Sequence, residues 1–187
     1  MLRFPNMTPF FRPSRRELLA AAFASAAVAQ ASEPAPRFSA KTMAGETFNN
    51  STLMGKVVLV EFWTTWCPYC KRDAEPLDDL AEEFGKDGLV LLAVDVGESK
   101  KTVKAFLEQN PRRAKVVLME DTNLAAMFAA KRFPKYALID REGKVAGEQN
   151  GSGGDASLRR LLRKAGLGGE GTDDAPIELR SSPRRTP

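Results

Sequence analysis

The chain holds two cysteines, Cys67 and Cys70, and no histidine. Thiols three residues apart can share one face of a helix's opening turn, and Pro68 between them suits the first helical position, where a missing N–H costs nothing. Their Cβ atoms would then lie about 5–6 Å apart, so a disulfide closes with little backbone movement. A helix start also favours thiolate over thiol through its unpaired amides and positive dipole end. Cysteines of C-x-x-C pairs at helix starts titrate at roughly 3.5–7.5 instead of ~8.5. Cys67, at the boundary, is therefore the candidate attacking thiolate, open to solvent. Cys70, one turn inside and more buried, is the candidate resolving thiol. The chemistry is thiol–disulfide exchange, with the Cys67–Cys70 disulfide as the redox group and no bound cofactor.

Other uses of the pair fit less well. A purely structural disulfide closing so small a ring removes little unfolded-state entropy. Zinc lacks a third and fourth ligand, since neither histidine nor further cysteine is present, and no metal site is expected. A peroxide-reducing enzyme would need Thr or Ser and Arg arranged around the cysteine. A non-enzymatic module holding a soft monovalent copper ion is the alternative from another class.

To position this pair, a strand must feed a helix. Val57 to Trp63 is an apolar run broken only by Glu61, as a central strand covered on both faces requires. Helix 68–84 follows, with Pro76 expected to kink it and Leu77, Leu80, Ala81 and Phe84 forming one apolar stripe. Strand 89–94 reads as buried and parallel to the first. Helix 99–109 stops before Pro111, and strand 115–119 leads to a helix expected over 122–131 with Leu124, Met127 and Phe128 in the core. Phe38 to Phe48 has the spacing of a hairpin around Gly45. Asp140-Arg141-Glu142-Gly143 fits a tight reversal into strand 144–149, and Asp155 is the expected cap of a last helix over 156–165.

Gly55-Lys56-Val57-Val58-Leu59-Val60-Glu61-Phe62-Trp63 followed by Trp66-Cys67-Pro68-Tyr69-Cys70-Lys71 resembles the thioredoxin superfamily, and within it the exported TlpA/ResA-like branch. The resemblance covers about residues 36–166. It implies an α/β thioredoxin-like fold, a mixed central sheet with helices on both faces and a central insert formed by the 115–131 region. It implies that Phe133-Pro134 is the cis-proline loop that offers its backbone to a substrate chain, and that Trp66 covers the active site while Pro68 and Tyr69 set the geometry of the turn. Glu61, an ionisable group in an apolar strand, should have a raised pKa. By resemblance it lies beneath Cys70 and relays its proton. Leu89 to Val94 lacks the lysine that usually partners this acid, and Arg132 and Lys135 stand where Gly and Thr are commoner, adding charge near the docking groove.

Residues 1–31 read as an export signal: a basic start, an Ala-rich apolar run from Leu18 to Ala29, and Ser14-Arg15-Arg16-Glu17-Leu18-Leu19 close to the twin-arginine pattern, with Sec export as the competing route. Residues 32–36 read as a linker, 37–166 as the domain, and 167–187 as a disordered tail. Much of the net charge of +4 lies in the signal, whose removal leaves 24 basic and 23 acidic residues, so nothing points to nucleic acid. No apolar run is long enough for a membrane span. The expected protein is periplasmic or otherwise exported, monomeric, and acts on protein thiols and disulfides. Because Pro68 and Tyr69 supply no positive charge, its potential should fall near roughly −270 to −200 mV, a reductant's range. The resemblance adds a membrane electron donor.

Overall fold

The computed structural model describes residues 33–169. Strand β3, Val57–Trp63, is buried along its whole length because its side chains alternate between two apolar layers. Val57, Leu59 and Trp63 enter one layer, while Val58, Val60 and Phe62 enter the other. By the same alternation Glu61 faces the layer of Leu59 and Trp63.

Around β3 stand β1 (Ser39–Thr42), β2 (Thr47–Asn49), β4 (Leu89–Asp95), β5 (Lys115–Thr122), β6 (Lys135–Ile139) and β7 (Val145–Asn150). The sheet order is β2-β1-β5-β4-β3-β6-β7. β3 pairs in parallel with β4, and β4 with β5, whereas β6 is antiparallel to β3, with Glu61 opposite Tyr136 and Phe62 opposite Lys135. The hairpin turns at Gly45, whose φ of 92° is a left-handed conformation that glycine adopts without a Cβ clash.

Helices α1 (Pro68–Phe84), α2 (Lys100–Gln109) and α4 (Gly154–Arg163) contribute to the layer containing Trp63. In α1, Cys70, Asp73, Leu77, Leu80 and Phe84 are buried at helical spacing, and each large apolar side chain contributes about 1.5–3 kcal/mol. The helix continues through Pro76. The opposite face is covered by Phe38, Leu53 and the single turn α3 (Leu124–Met127). The thioredoxin-like fold thus has helices on both faces, most of them on the active-site side.

Four expectations need correction. The helix expected over 122–131 is only α3, because Thr122 still belongs to β5 and Ala129 takes a left-handed φ of 47° that ends the turn. Phe128 is core as expected, but Met127 is exposed. Asp155 does not cap α4. It lies in the first turn, paired with Arg159, behind Gly153 at the cap. The supposed linker belongs to the domain: Ala35 N–H donates to Gly143 O, Val145 N–H donates to Glu33 O, and Ala35 is buried. At the other end Leu167, assigned to the tail, is buried in the core. The export signal and residues 170–187 lie outside the described residues.

Candidate active site

Cys67 is the N-cap of α1, with extended backbone (φ −77°, ψ 111°), and Pro68 follows in the first turn. Cys67 Sγ accepts a hydrogen bond from the Cys70 amide at 3.1 Å. The sulfur therefore occupies the place where a Ser or Asp side chain would cap a helix, satisfying one of its unpaired donors. The two cysteines are joined in a disulfide with their Cα atoms 5.3 Å apart. Contrary to expectation, Cys67 is not the more open sulfur residue in this oxidised form, since the two are 2 % and 1 % exposed. The cap position, and not burial, distinguishes them.

In the same apolar layer as Leu59 and Trp63, Glu61 is 0 % exposed and its Oε2 receives Arg112 Nη2 at 2.9 Å. Burial pushes the Glu61 pKa above the usual carboxylate range, and the charge and hydrogen bond of Arg112 only partly offset it. Arg112, its side chain 3 % exposed, also lies 3.8 Å from Asp78 and 5.6 Å over the Trp63 ring. The cation missing from β4 is thus supplied by the loop between α2 and β5, and Glu61 is fully buried without the expected lysine. A cavity of about 300 Å³ reaches Cys70 on one side and Arg112 on the other, walled by Trp63, Lys71, Asp78 and Phe106.

The other flank is open. Phe133-Pro134 is a cis peptide, as the resemblance implied, and Trp66, 66 % exposed, meets the Phe133 ring edge-on at 6.2 Å. Tyr69 is also exposed, with the Arg72 guanidinium 5.2 Å from its ring centre. Trp66, Pro68 and Tyr69 thus present an exposed surface beside the half-buried Phe133, while Cys67, Cys70 and Pro134 are buried. Lys135 does not join it. Its side chain is turned inward to donate to Phe128 O at 2.5 Å and pair with Glu148 at 2.7 Å. The charge expected at the docking groove from Lys135 instead braces the chain after α3.

Two acids here escaped the sequence reading. Asp73, one turn beyond Cys70, is buried and accepts hydrogen bonds from Tyr136 Oη at 2.8 Å and from the Ser152 hydroxyl. Burial raises the Tyr136 pKa, with the Glu61 and Asp73 charges adding to it. Counting the α1 stripe back from Leu77 by four would have found Asp73. Asp95, at the end of β4, is buried and accepts from the Glu98 amide at 3.1 Å, while Glu98 receives the Thr65 amide at 2.5 Å and hydroxyl at 2.6 Å. Desolvation, reinforced by the Glu98 carboxyl group and only partly offset by the Glu98 amide, pushes Asp95 up to about 7. Glu98 is lowered despite partial burial, because the Thr65 and Asp95 hydrogen bonds stabilise its charge. This clamp fixes the segment entering Cys67.

Fold and site together define a thioredoxin-like thiol–disulfide oxidoreductase. The chain belongs to the AhpC/TSA family, whose sequence pattern matches residues 31–147. It is similar to the thiol-disulfide oxidoreductase ResA of Bacillus cereus, 28 % identical over 142 residues that cover 76 % of this chain and 82 % of that protein. The Bacillus subtilis ResA is 34 % identical over 111 residues, covering 59 % and 62 %. Among solved structures, a thiol:disulfide interchange protein of the thioredoxin family from Chlorobium tepidum aligns with a TM-score of 0.63 at 26 % identity, covering 72 % of this chain and 96 % of that one.

Proposed function

We propose that this chain is an exported oxidoreductase that reduces disulfides of client proteins outside the cytosol. The observation that carries the chemistry is the Cys70 amide donating to Cys67 Sγ at the helix cap, a contact that strengthens as the sulfur gains negative charge. The reduced Cys67 thiolate attacks a client disulfide, forming the Cys67–client bond and releasing one client thiolate. Cys70 loses its proton to Glu61 and attacks Cys67 Sγ, closing the Cys67–Cys70 bond and releasing the second client thiolate. Two electrons pass to the client, and a thiol donor, membrane-bound by analogy with the exported branch, restores the dithiol. No bound cofactor enters the cycle. Trp66, Pro68, Tyr69, Phe133 and Pro134 shape the surface on which the client lies, and the chain acts as a monomer.

What surrounds the sulfur supports this direction. Among the described residues the cap amide is the hydrogen-bond donor to Cys67 Sγ, and no basic side chain joins it. Without added stabilisation of the thiolate, the potential belongs near roughly −270 to −200 mV, well below the ~−120 mV of a strong oxidant. Export is supported by the basic, Ala-rich residues 1–31 and their twin-arginine-like Arg15-Arg16. Equilibration of the mature domain in glutathione buffers tests the direction. A midpoint above about −150 mV would mean that the protein is built to oxidise.

A further inference from the structure

The open groove carries a charge that the exchange chemistry does not need. Its volume is about 440 Å³, and its walls are Tyr69, Arg72, Arg132, Phe133, Ser152 and the Asn150-Gly151 edge, with no acidic side chain among them. Arg132 is exposed and makes no hydrogen bond or ion pair among the described residues. Arg72 is held in place: Nη2 donates to Ser152 Oγ at 2.8 Å, the guanidinium lies against Tyr69, and Nε is 3.9 Å from the buried Asp73 carboxyl group. Its side chain is still 61 % exposed, leaving donors turned to solvent. The cavity that reaches Cys70 is of mixed charge instead, with Glu75, Asp78 and Asp79 set against Lys71 and Arg112. A chain lying in the open groove thus meets two guanidinium groups beside the aromatic surfaces of Tyr69 and Phe133.

We propose that this groove selects client segments bearing an aspartate or glutamate close to the reacting cysteine, with Arg132 as the principal contact and Arg72 as the second. The proposal rests on the exchange reaction proposed above and names its substrate class. Guanidinium groups suit it because they bind carboxylates in a planar fork and stay charged at all working pH values. Arg132 carries most of the preference because Arg72 already shares its field with Asp73. The occupant is an extended protein segment, which can lay a side chain on an aromatic ring while its carboxylate reaches Arg132.

The test uses the chain reduced beforehand and freed of reductant, mixed with three peptides alike except that Asp, Ser or Lys flanks an intramolecular disulfide. Each reaction is a single turnover that oxidises Cys67 and Cys70 and reduces the peptide, followed by tryptophan fluorescence. The Asp peptide should react about three- to tenfold faster than the Ser peptide, as expected for one or two exposed charge pairs. In ~0.5 M salt the difference should shrink. Arg132→Glu should reverse the order so that the Lys peptide leads, and Arg72→Gln should narrow it. Circular dichroism checks the fold of both variants. Equal rates for all three peptides would overturn the proposal while leaving exchange intact. Faster oxidation by glutathione disulfide than by the Asp peptide, lost in Arg132→Glu, would overturn it in favour of a small-thiol site. No reaction with any peptide would remove the exchange reading and this inference with it.

Discussion

On one flank of the disulfide the chain buries an arginine against a glutamate; on the other it exposes an arginine that has no partner among the described residues. Arg112 is locked to Glu61 in a dry site, whereas Arg132 stands at the rim of an open groove. A buried ion pair costs desolvation that its attraction barely repays, so it is weak evidence of stability and stronger evidence that a charge is needed there. An exposed arginine costs the fold little and is available to a partner. The first flank suits proton handling at Cys70 and the second suits recognition.

The sharpest way to break this contrast is Arg112→Leu. Removing one member of a buried pair should cost about 3–5 kcal/mol in urea unfolding. A loss below about 1 kcal/mol would mean that water already reaches Glu61. Glu61→Gln should also destabilise, because it leaves the buried Arg112 guanidinium with Asp78 at 3.8 Å as its nearest acid, and it should slow closure of the Cys67–Cys70 bond by roughly 10²-fold. Glu61 accepts a proton only when ionised, and its pKa is raised, so the wild-type closure rate should climb with pH through that raised pKa. The Gln variant should lack this limb, and an unchanged profile in quenched-flow trapping would make Glu61 a structural residue.

Asp95→Asn tests whether an acid buried outside both flanks behaves differently. The native carboxyl titrates at about 7 against 3.8 unfolded, so folding binds a proton between these values. Stability contributed by Asp95 is complete below about 4 and declines as pH rises to about 7. The Asn variant should flatten this decline by on the order of 1–2 kcal/mol in melts across that window. Glu98 works in the opposite sense, its contribution present above its unfolded pKa and lost as pH falls, so a steeper slope in the variant would reverse the assignment. The smallest expected effect lies on the open flank. Trp66→Ala should leave stability within about 0.5 kcal/mol while raising the KM for a protein disulfide a few-fold. A large loss of stability would make Trp66 part of the core.

The elements nearest the cysteines were legible because their signals are local. The apolar run of β3 and the proline-led start of α1 each declare themselves within a few residues, and the structure places both at the expected bounds. Arg112 could not be read, because a loop residue has no period and its partner lies in another element. Lys135 misled because an ionisable residue beside an active-site proline reads as surface, while strand alternation sends it inward toward the layer of Ala137 and Ile139. α3 failed for want of a glycine or asparagine to mark its end, the left-handed position being occupied by Ala129.

The walls of the site come from distant parts of the chain. The reactive turn follows β3 directly, but the opposing Phe133-Pro134 arrives with β6, which pairs to β3 only after β4 and β5 have been laid down in sequence. Closing so long a loop is slow compared with forming a helix. The reactive thiols are thus available to a growing or partly folded chain before anything restrains what they meet. Chemistry precedes discrimination, and a chain cut short before Lys135 would be a promiscuous dithiol, able to shuffle disulfides but blind to their surroundings.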